Sequence, residues 1–460
     1  MKKPIISTLL VILFVSSIGA YGFSNYDALY ERSNNDLFPS YPLTRHSVTI
    51  VSHGDKQMTL GSDDGYDIQW KKEYGTDQSG GRYEGPQPIG DCDNDGDNEV
   101  LIGGRDGKLS IFGWNAAGES YEKEASLTCP FQHTPVLWTL LAGGNSLEHQ
   151  PYPSGFAIGD VTGDGTNEIV VTWYAAYETG DYFNFISVHK WFLGRYRLIG
   201  FTPWVLQNNF GVADCYIGDC DNDGDNDVLV SGEGMSDREP EIVVFTWAGC
   251  RLVKLAEHDE MHSGYAPMAG LGDVDNDGDN EIVYGAQGSP YSISNTNKVI
   301  VLDWNETALD FDATVIQETK GYGNAPFGGW CGDSDGDGID EIHVGYTSSR
   351  MSIFEWDGTG YTVKYNVTWA DGEPVIEGIN VGDVDDDGIQ EVCVGSGKVH
   401  ILQWNGVTYE EEAILHQTYG LLAVVIVGDS DNDGKNEINV APVFVDEGQH
   451  YIYWIFKYGL

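Results

Sequence analysis

Asp91, Asp93, Asp95 and Glu99 fall at positions one, three, five and nine of a short acidic stretch, with Gly96 at position six. Carboxylates at that spacing can wrap an oxygen cage around one hard cation. Glycine at six permits the sharp turn, and position seven, Asp97, would contribute only its backbone carbonyl. An all-oxygen donor set favours calcium over zinc or copper. The number of ligands favours calcium over magnesium, which keeps more of its water.

The stretch recurs six more times, each copy preceded by glycine. The matching positions one, three, five, seven and nine are Asp160, Thr162, Asp164, Thr166 and Glu168 in the second copy, and Asp219, Asp221, Asp223, Asp225 and Asp227 in the third. They are Asp273, Asp275, Asp277, Asp279 and Glu281 in the fourth, and Asp333, Asp335, Asp337, Ile339 and Glu341 in the fifth. The sixth has Asp383, Asp385, Asp387, Ile389 and Glu391; the seventh has Asp429, Asp431, Asp433, Lys435 and Glu437. About seven calcium sites are therefore expected. A helix-flanked calcium hand would carry its last acid at position twelve and sit between amphipathic helices. Here the flanks are short β-branched runs such as Ile169-Val170-Val171 and Val228-Leu229-Val230, so the loops join strands.

The elements that position these loops follow one script. A strand ends in an aliphatic-Gly step, the acidic loop follows, and a second strand such as Val100-Leu101-Ile102-Gly103 leaves it. A third strand carries a tryptophan (Trp114, Trp191, Trp247, Trp304, Trp356, Trp404, Trp454), and a turn leads to a fourth strand that often opens with tyrosine (Tyr121, Tyr196, Tyr361, Tyr409). The copies start 46 to 69 residues apart, so the script is constant while the connections vary. Four strands in each of seven units predict an all-β fold, a seven-bladed β-propeller of four-stranded blades with the acidic loop between strands one and two. The chain ends at Leu460 without a fourth strand for the last unit, and Gly65-Tyr66-Asp67-Ile68-Gln69-Trp70 matches the fourth-strand pattern Gly360-Tyr361-Thr362-Val363-Lys364-Tyr365. An N-terminal strand is therefore expected to close the last blade. Eight blades with a degraded first unit is the alternative.

Three segments are read along the 460 residues: an export signal at 1–22, a polar linker or arm at 23–45, and the propeller at 46–460. The signal rests on Lys2 and Lys3, the apolar run Ile5 to Val15 and the small-x-small step Ala20-Tyr21-Gly22, with an uncleaved anchor as the alternative. Strands are expected at Val48-Thr49-Ile50-Val51 and Met58-Thr59-Leu60. The longest insertion, Ala125 to Gly155, contains Val136-Leu137-Trp138-Thr139-Leu140-Leu141 as a short helix or lid. The formal charge is -48. A divalent ion in every loop would still leave the chain strongly acidic, which argues against nucleic acid or anionic lipid as partners. A halophile's acidic surface is another reading of that excess. The sequons at Asn305 and Asn366 are compatible with glycosylation outside the cell. Seven cysteines show no disulfide framework; Cys215 and Cys220 are one local pairing, and most of the others read as buried packing residues.

An Asp-x-Asp-x-Asp-Gly-x-x-acid loop between the first two strands of a blade resembles the FG-GAP (VCBS-type) repeats of the integrin α-subunit propeller. The resemblance runs from about residue 46 to 460, although the Phe-Gly and Gly-Ala-Pro signatures that name the family are mostly absent. It implies calcium held on one face by Asp91, Asp93, Asp95, Glu99 and the matching acids, with ligands or partner subunits on the opposite face. Thr162 departs from the pattern, so the second site should be the weakest. The bland reading of the sites is a structural staple. The other face would carry the long connections, rich in aromatic residues: His133, Trp138, Trp173, Tyr174, Tyr177, Trp204, His262, Tyr265, Tyr291, Tyr322 and Trp330. Packing between blades is the alternative for each. The expected function is a secreted or cell-surface calcium-binding module for a protein or glycan ligand in adhesion or recognition. A lectin is the next reading, and a polysaccharide lyase or hydrolase the third. No zinc-protease, nucleophile-elbow or phosphate-loop motif is present, so no catalytic residue is assigned.

Overall fold

In the computed structural model, residues 65–82, 85–130, 151–176, 182–203, 210–234, 242–260, 265–288, 296–369 and 375–460 are described, all within one compact unit. The expected export segment, the arm, the strands before residue 61 and the 136–141 segment lie outside them.

Blade 1 shows how the sequence becomes a sheet. Ile89–Gly90, Glu99–Gly104, Lys108–Asn115 and Ser120–Thr128 pair in chain order as an antiparallel meander. Alternate side chains of one strand leave opposite faces of a sheet. Leu101 therefore packs towards blade 2, while Val100 and Ile102 pack towards blade 7. Six further sheets repeat this order and make seven blades. Blades 3 and 4 are also bridged by the backbone pair Glu233↔Tyr265. The described regular structure is strands and two short 3₁₀ turns, with no α-helix among the described residues.

Seven apolar clusters sit at the seven seams, each shared by two consecutive blades. The cluster of Val100, Ile102 and Phe112 with Val424, Ile426, Ala441, Tyr453 and Ile455 joins blade 7 to blade 1, so the array is a ring. Most of the glycines before the acidic loops have their reason here. A Cβ on Gly90 would stand 3.2 Å from Ile158 of the next blade, one on Gly218 2.4 Å from Leu271, one on Gly382 2.5 Å from Val427 and one on Gly428 3.1 Å from Ile89. At these points neighbouring first strands approach so closely that a side chain would force one of them to shift.

Blade 7 consists of Leu421–Gly428, Glu437–Phe444 and Ile452–Tyr458, with Tyr66–Glu73 as its fourth strand. Tyr66 pairs with Tyr458 and Glu73 with Ile452. Trp454 is in the third strand, as expected, but does not take the place its counterparts take. Trp114, Trp191, Trp356 and Trp404 pack, with tilted rings, against the tyrosine that opens the next strand, at centroid distances of 4.8–4.9 Å. In blade 7 that place belongs to Tyr458, 5.1 Å from Tyr66, while Trp454 lies inside the seam with blade 6. All seven cysteines are free and only Cys250 is exposed, so Cys215 and Cys220 do not pair.

Candidate metal centres at one end of the propeller

Each acidic loop is folded by its own amides. The position-one carboxylate accepts the amide of the position-six glycine in all seven loops, at 2.6–3.1 Å. The position-five carboxylate accepts the position-seven amide at 2.8–3.2 Å, for Ile339, Ile389 and Lys435 as for Asp97 and Thr166. In six loops the position-nine glutamate accepts the position-two amide at 2.8–3.2 Å. Position two itself points into the core: Cys92, Val161, Cys220, Val274, Ser334, Val384 and Ser430 are all buried. Two of these hydroxyls tie blades together, Ser430 to Tyr121 at 2.7 Å and Ser334 to Tyr409 at 2.6 Å.

Three of the acids converge in each of five loops. Oxygens of Asp91, Asp93 and Glu99 lie within 4.8 Å of one another, as do those of Asp160, Asp164 and Glu168, of Asp219, Asp221 and Asp223, of Asp273, Asp275 and Glu281, and of Asp333, Asp335 and Glu341. In loop 2, Thr162 donates its hydroxyl to Glu168 at 3.3 Å and supplies no charge. The position-nine acids are almost fully enclosed. Burial, and then the neighbouring aspartates, push Asp227 up to about 7 and Glu281 up to about 8. Burial likewise moves Glu99 to about 7 and Glu391 to about 8. Carboxyls held this way favour the neutral form until a positive charge comes among them.

Whether an ion fits can be read from the oxygens left over. Asp93 Oδ1, Asp221 Oδ1 and Asp275 Oδ1 are shielded from solvent and have no hydrogen-bond partner, and so is Asp227 Oδ2 on a side chain only 2% exposed. A buried, unpaired carboxylate oxygen is costly, and a cation is what would satisfy it. In loops 1, 3 and 4 the residues therefore fit a hard divalent ion: Asp91, Asp93, Asp95 and Glu99; Asp219, Asp221, Asp223 and Asp227; Asp273, Asp275, Asp277 and Glu281.

Two recurring features escaped the sequence reading. Position four is left-handed in every loop, at φ 59–66° for Asn94, Asn222, Asn276, Asp386 and Asn432 and 70–77° for Gly163 and Gly336. The asparagines at positions four and eight also stitch neighbouring loops together. Asn94 accepts from the Asn167 amide at 2.8 Å, and Asn167 Nδ2 donates to the Asp91 carbonyl at 2.9 Å. Loops 3 and 4 repeat this through Asn222 and Asn280, and loops 7 and 1 through Asn432 and Asn98. Five Asx residues and two glycines, each two before the loop glycine, were the signal.

Of the residues expected on an aromatic rim, Trp173 and Tyr174 are buried, and Trp330 packs into the blade cores. His133, Trp138, Tyr177, Trp204, His262 and Tyr291 lie outside the described residues, as do the side chains of Tyr265 and Tyr322.

A family model described as FG-GAP-like repeat matches residues 333–394, from the loop of blade 5 to the second strand of blade 6. No curated protein sequence matches the chain. Among solved structures, the Dos1 propeller aligns at TM-score 0.44 and 11% identity, covering 78% of this chain and 75% of that one. Sqt1 of Saccharomyces cerevisiae aligns at TM-score 0.44 and 11% identity, covering 84% of this chain and 97% of that one. The seven sheets make this chain a seven-bladed β-propeller, and residues 333–394 of it match the FG-GAP-like repeat, without any indication of the integrin branch.

Proposed function

We propose that the protein is a calcium-stabilised binding scaffold that works outside the cell and takes a protein or glycan ligand at the end of the propeller remote from the acidic loops. The observation that carries this reading is the asymmetry between the two ends. At the acidic end, every blade has a loop of the same length and backbone course. At the other end, the second-to-third-strand connection is 105–107 in blade 1 but 445–451 in blade 7, and the connection to the next blade is 416–420 after blade 6 but 129–151 after blade 1. A uniform end suits a scaffold, and a varied end suits recognition. The orphaned oxygens in loops 1, 3 and 4 support the calcium part of the reading, and the N-terminal Lys2, Lys3 and Ile5 to Val15 pattern supports export. Among the described residues, no helix is long and apolar enough to cross a membrane.

No reaction is assigned. A glycan array and a pull-down with the exported protein, in calcium, should find a ligand. Its retention should fall with substitutions in 105–107 or 445–451 and survive Asp221→Asn. Retention lost only with the acidic loops would place the ligand at the wrong end. Release of unsaturated uronate, followed by absorbance, would replace the binding reading with a lyase.

A further inference from the structure

We infer that the seven acidic loops are of two kinds: Lys190, Lys364 and Lys457 act as built-in cations in loops 2, 5 and 7, and a free divalent ion is taken by loops 1, 3 and 4. The inference rests on the calcium reading above and refines which loops it applies to.

Two kinds of slot can face a blade's own loop. The first is the third-strand residue opposite the position-nine acid: Glu168 pairs with Lys190, while Glu99 pairs with Gly113 and Glu391 with Gln403. The second comes from a β-bulge between strands three and four, found at the same register in every blade except blade 4, where it lies two residues further from the loop. A bulge adds one residue and re-aims a side chain. In blade 5 the added residue is Lys364, between the pairs Ile353↔Tyr365 and Phe354↔Val363.

Where a lysine fills a slot, its ammonium sits among the loop acids. Lys190 Nζ lies 2.6 Å from Asp164 and 2.7 Å from Glu168, and donates to Thr166 at 2.6 Å. Lys457 Nζ lies 2.6 Å from Asp431, 2.9 Å from Asp433 and 2.7 Å from Glu437. Lys364 bonds Asp335, and lies 3.0 Å from Glu341 and 2.8 Å from Glu355. These lysines pair carboxylates at positions three, five and nine, which are the groups an ion would use. A divalent ion entering would meet a fixed like charge a few ångströms away, with the ligands already engaged.

Where no lysine is present, the oxygens are left over. The orphaned atoms of Asp93, Asp221, Asp227 and Asp275 all fall in loops 1, 3 and 4. Their slots hold Glu124 in blade 1, Thr246 and Leu255 in blade 3, and Asp303 in blade 4, none of them a cation. Two of these add charge of the sign a metal wants. Loop 6 has neither a lysine nor an orphaned oxygen: Gln403 donates to Asp387 at 2.9 Å and to Glu391 at 3.2 Å, and Glu412 shares a hydrogen bond with Asp385. It sets whether the total is three or four.

Native mass spectrometry of the full chain, stripped with EDTA and titrated with calcium, counts the ions directly. Three or four bound ions are expected. Five to seven would overturn the division into two kinds and leave the calcium reading standing, whereas none would remove the calcium reading itself. Lys190→Met and Lys457→Met, each purified in calcium, should bind one ion more than wild type and show a melting temperature that falls in EDTA and recovers in calcium. Asp221→Asn should bind one ion fewer. A methionine variant with an unchanged ion count, or Asp221→Asn with the full count, would overturn the inference.

Discussion

Asn432→Gly, compared with Asn276→Gly, isolates the stitching between loops. Both asparagines occupy position four in the left-handed region, at φ 64° and 61°, so glycine removes no needed conformational freedom at either. Asn432 accepts from the Asn98 amide at 2.6 Å and donates to the Asn98 carbonyl at 3.2 Å, across the seam between blades 7 and 1. Asn276 makes no such bond; loops 4 and 5 meet through the Asp340 amide and the Asp273 carbonyl at 3.4 Å. Two part-buried hydrogen bonds at about 1 kcal/mol each put the cost of Asn432→Gly at roughly 2 kcal/mol. Asn276→Gly should lie within about 0.5 kcal/mol of wild type. Taking an unfolding entropy of about 2.1 cal/mol/K per residue over roughly 400 residues, 2 kcal/mol lowers the melting temperature by only about 2–3 °C. Urea denaturation is therefore the better assay, with differential scanning fluorimetry as a check. Equal losses for the two variants, or none for Asn432→Gly, would refute the claim that these asparagines hold the ring's loops in register.

Three further outcomes are expected. Gly382→Ala would place a methyl 2.5 Å from Val427 Cγ1 and should cost about 1–3 kcal/mol in urea melts, whereas Gly332→Ala, with its nearest atoms at 3.4 Å, should cost less than about 1 kcal/mol. His189, buried between Ile169 and Leu198 and bonded to Ser187 at 2.9 Å, has its pKa pushed down by burial to about 4. The unfolded chain binds that proton more readily, so the contribution is complete above about pH 6.5 and falls away by roughly 3 kcal/mol as pH drops towards 4. The stability gap between wild type and His189→Gln should accordingly narrow over that range, and a gap independent of pH would count against a neutral buried imidazole. Deleting the chain through Glu73 removes the partner of Ile452–Tyr458 and bares an apolar strand edge, so size-exclusion chromatography should show association or loss of soluble protein; a monomer with an unchanged melt would make that strand dispensable.

The fold was legible because each unit punctuates itself: glycine, acidic loop, β-branched run, tryptophan and turn. The loops were legible because carboxylates at one, three, five and nine have few other uses. What the sequence hid depends on the next blade. The glycine before each loop is visible in one copy, but its cause, as in Gly382 against Val427, belongs to the neighbouring first strand. The lysines were missed because Lys190, Lys364 and Lys457 lie 22, 23 and 20 residues after the glutamates they bond, with no constant spacing. Two reach the loop from the third strand and one from a bulge on the fourth, which no periodicity displays. Trp173 and Tyr174 were read as rim residues, but they belong to a second strand that runs on to Ala176 and stays between blades.

Thermal melts of the full chain in millimolar calcium and in excess EDTA test most directly whether the acidic loops need a cation. With dissociation constants on the order of 10⁻⁴ to 10⁻³ M, each ion adds roughly 0.4–1.4 kcal/mol, and three loops about 1–4 kcal/mol. The same entropy per residue converts this to a melting temperature about 1–5 °C higher in calcium. Superimposable curves would contradict it.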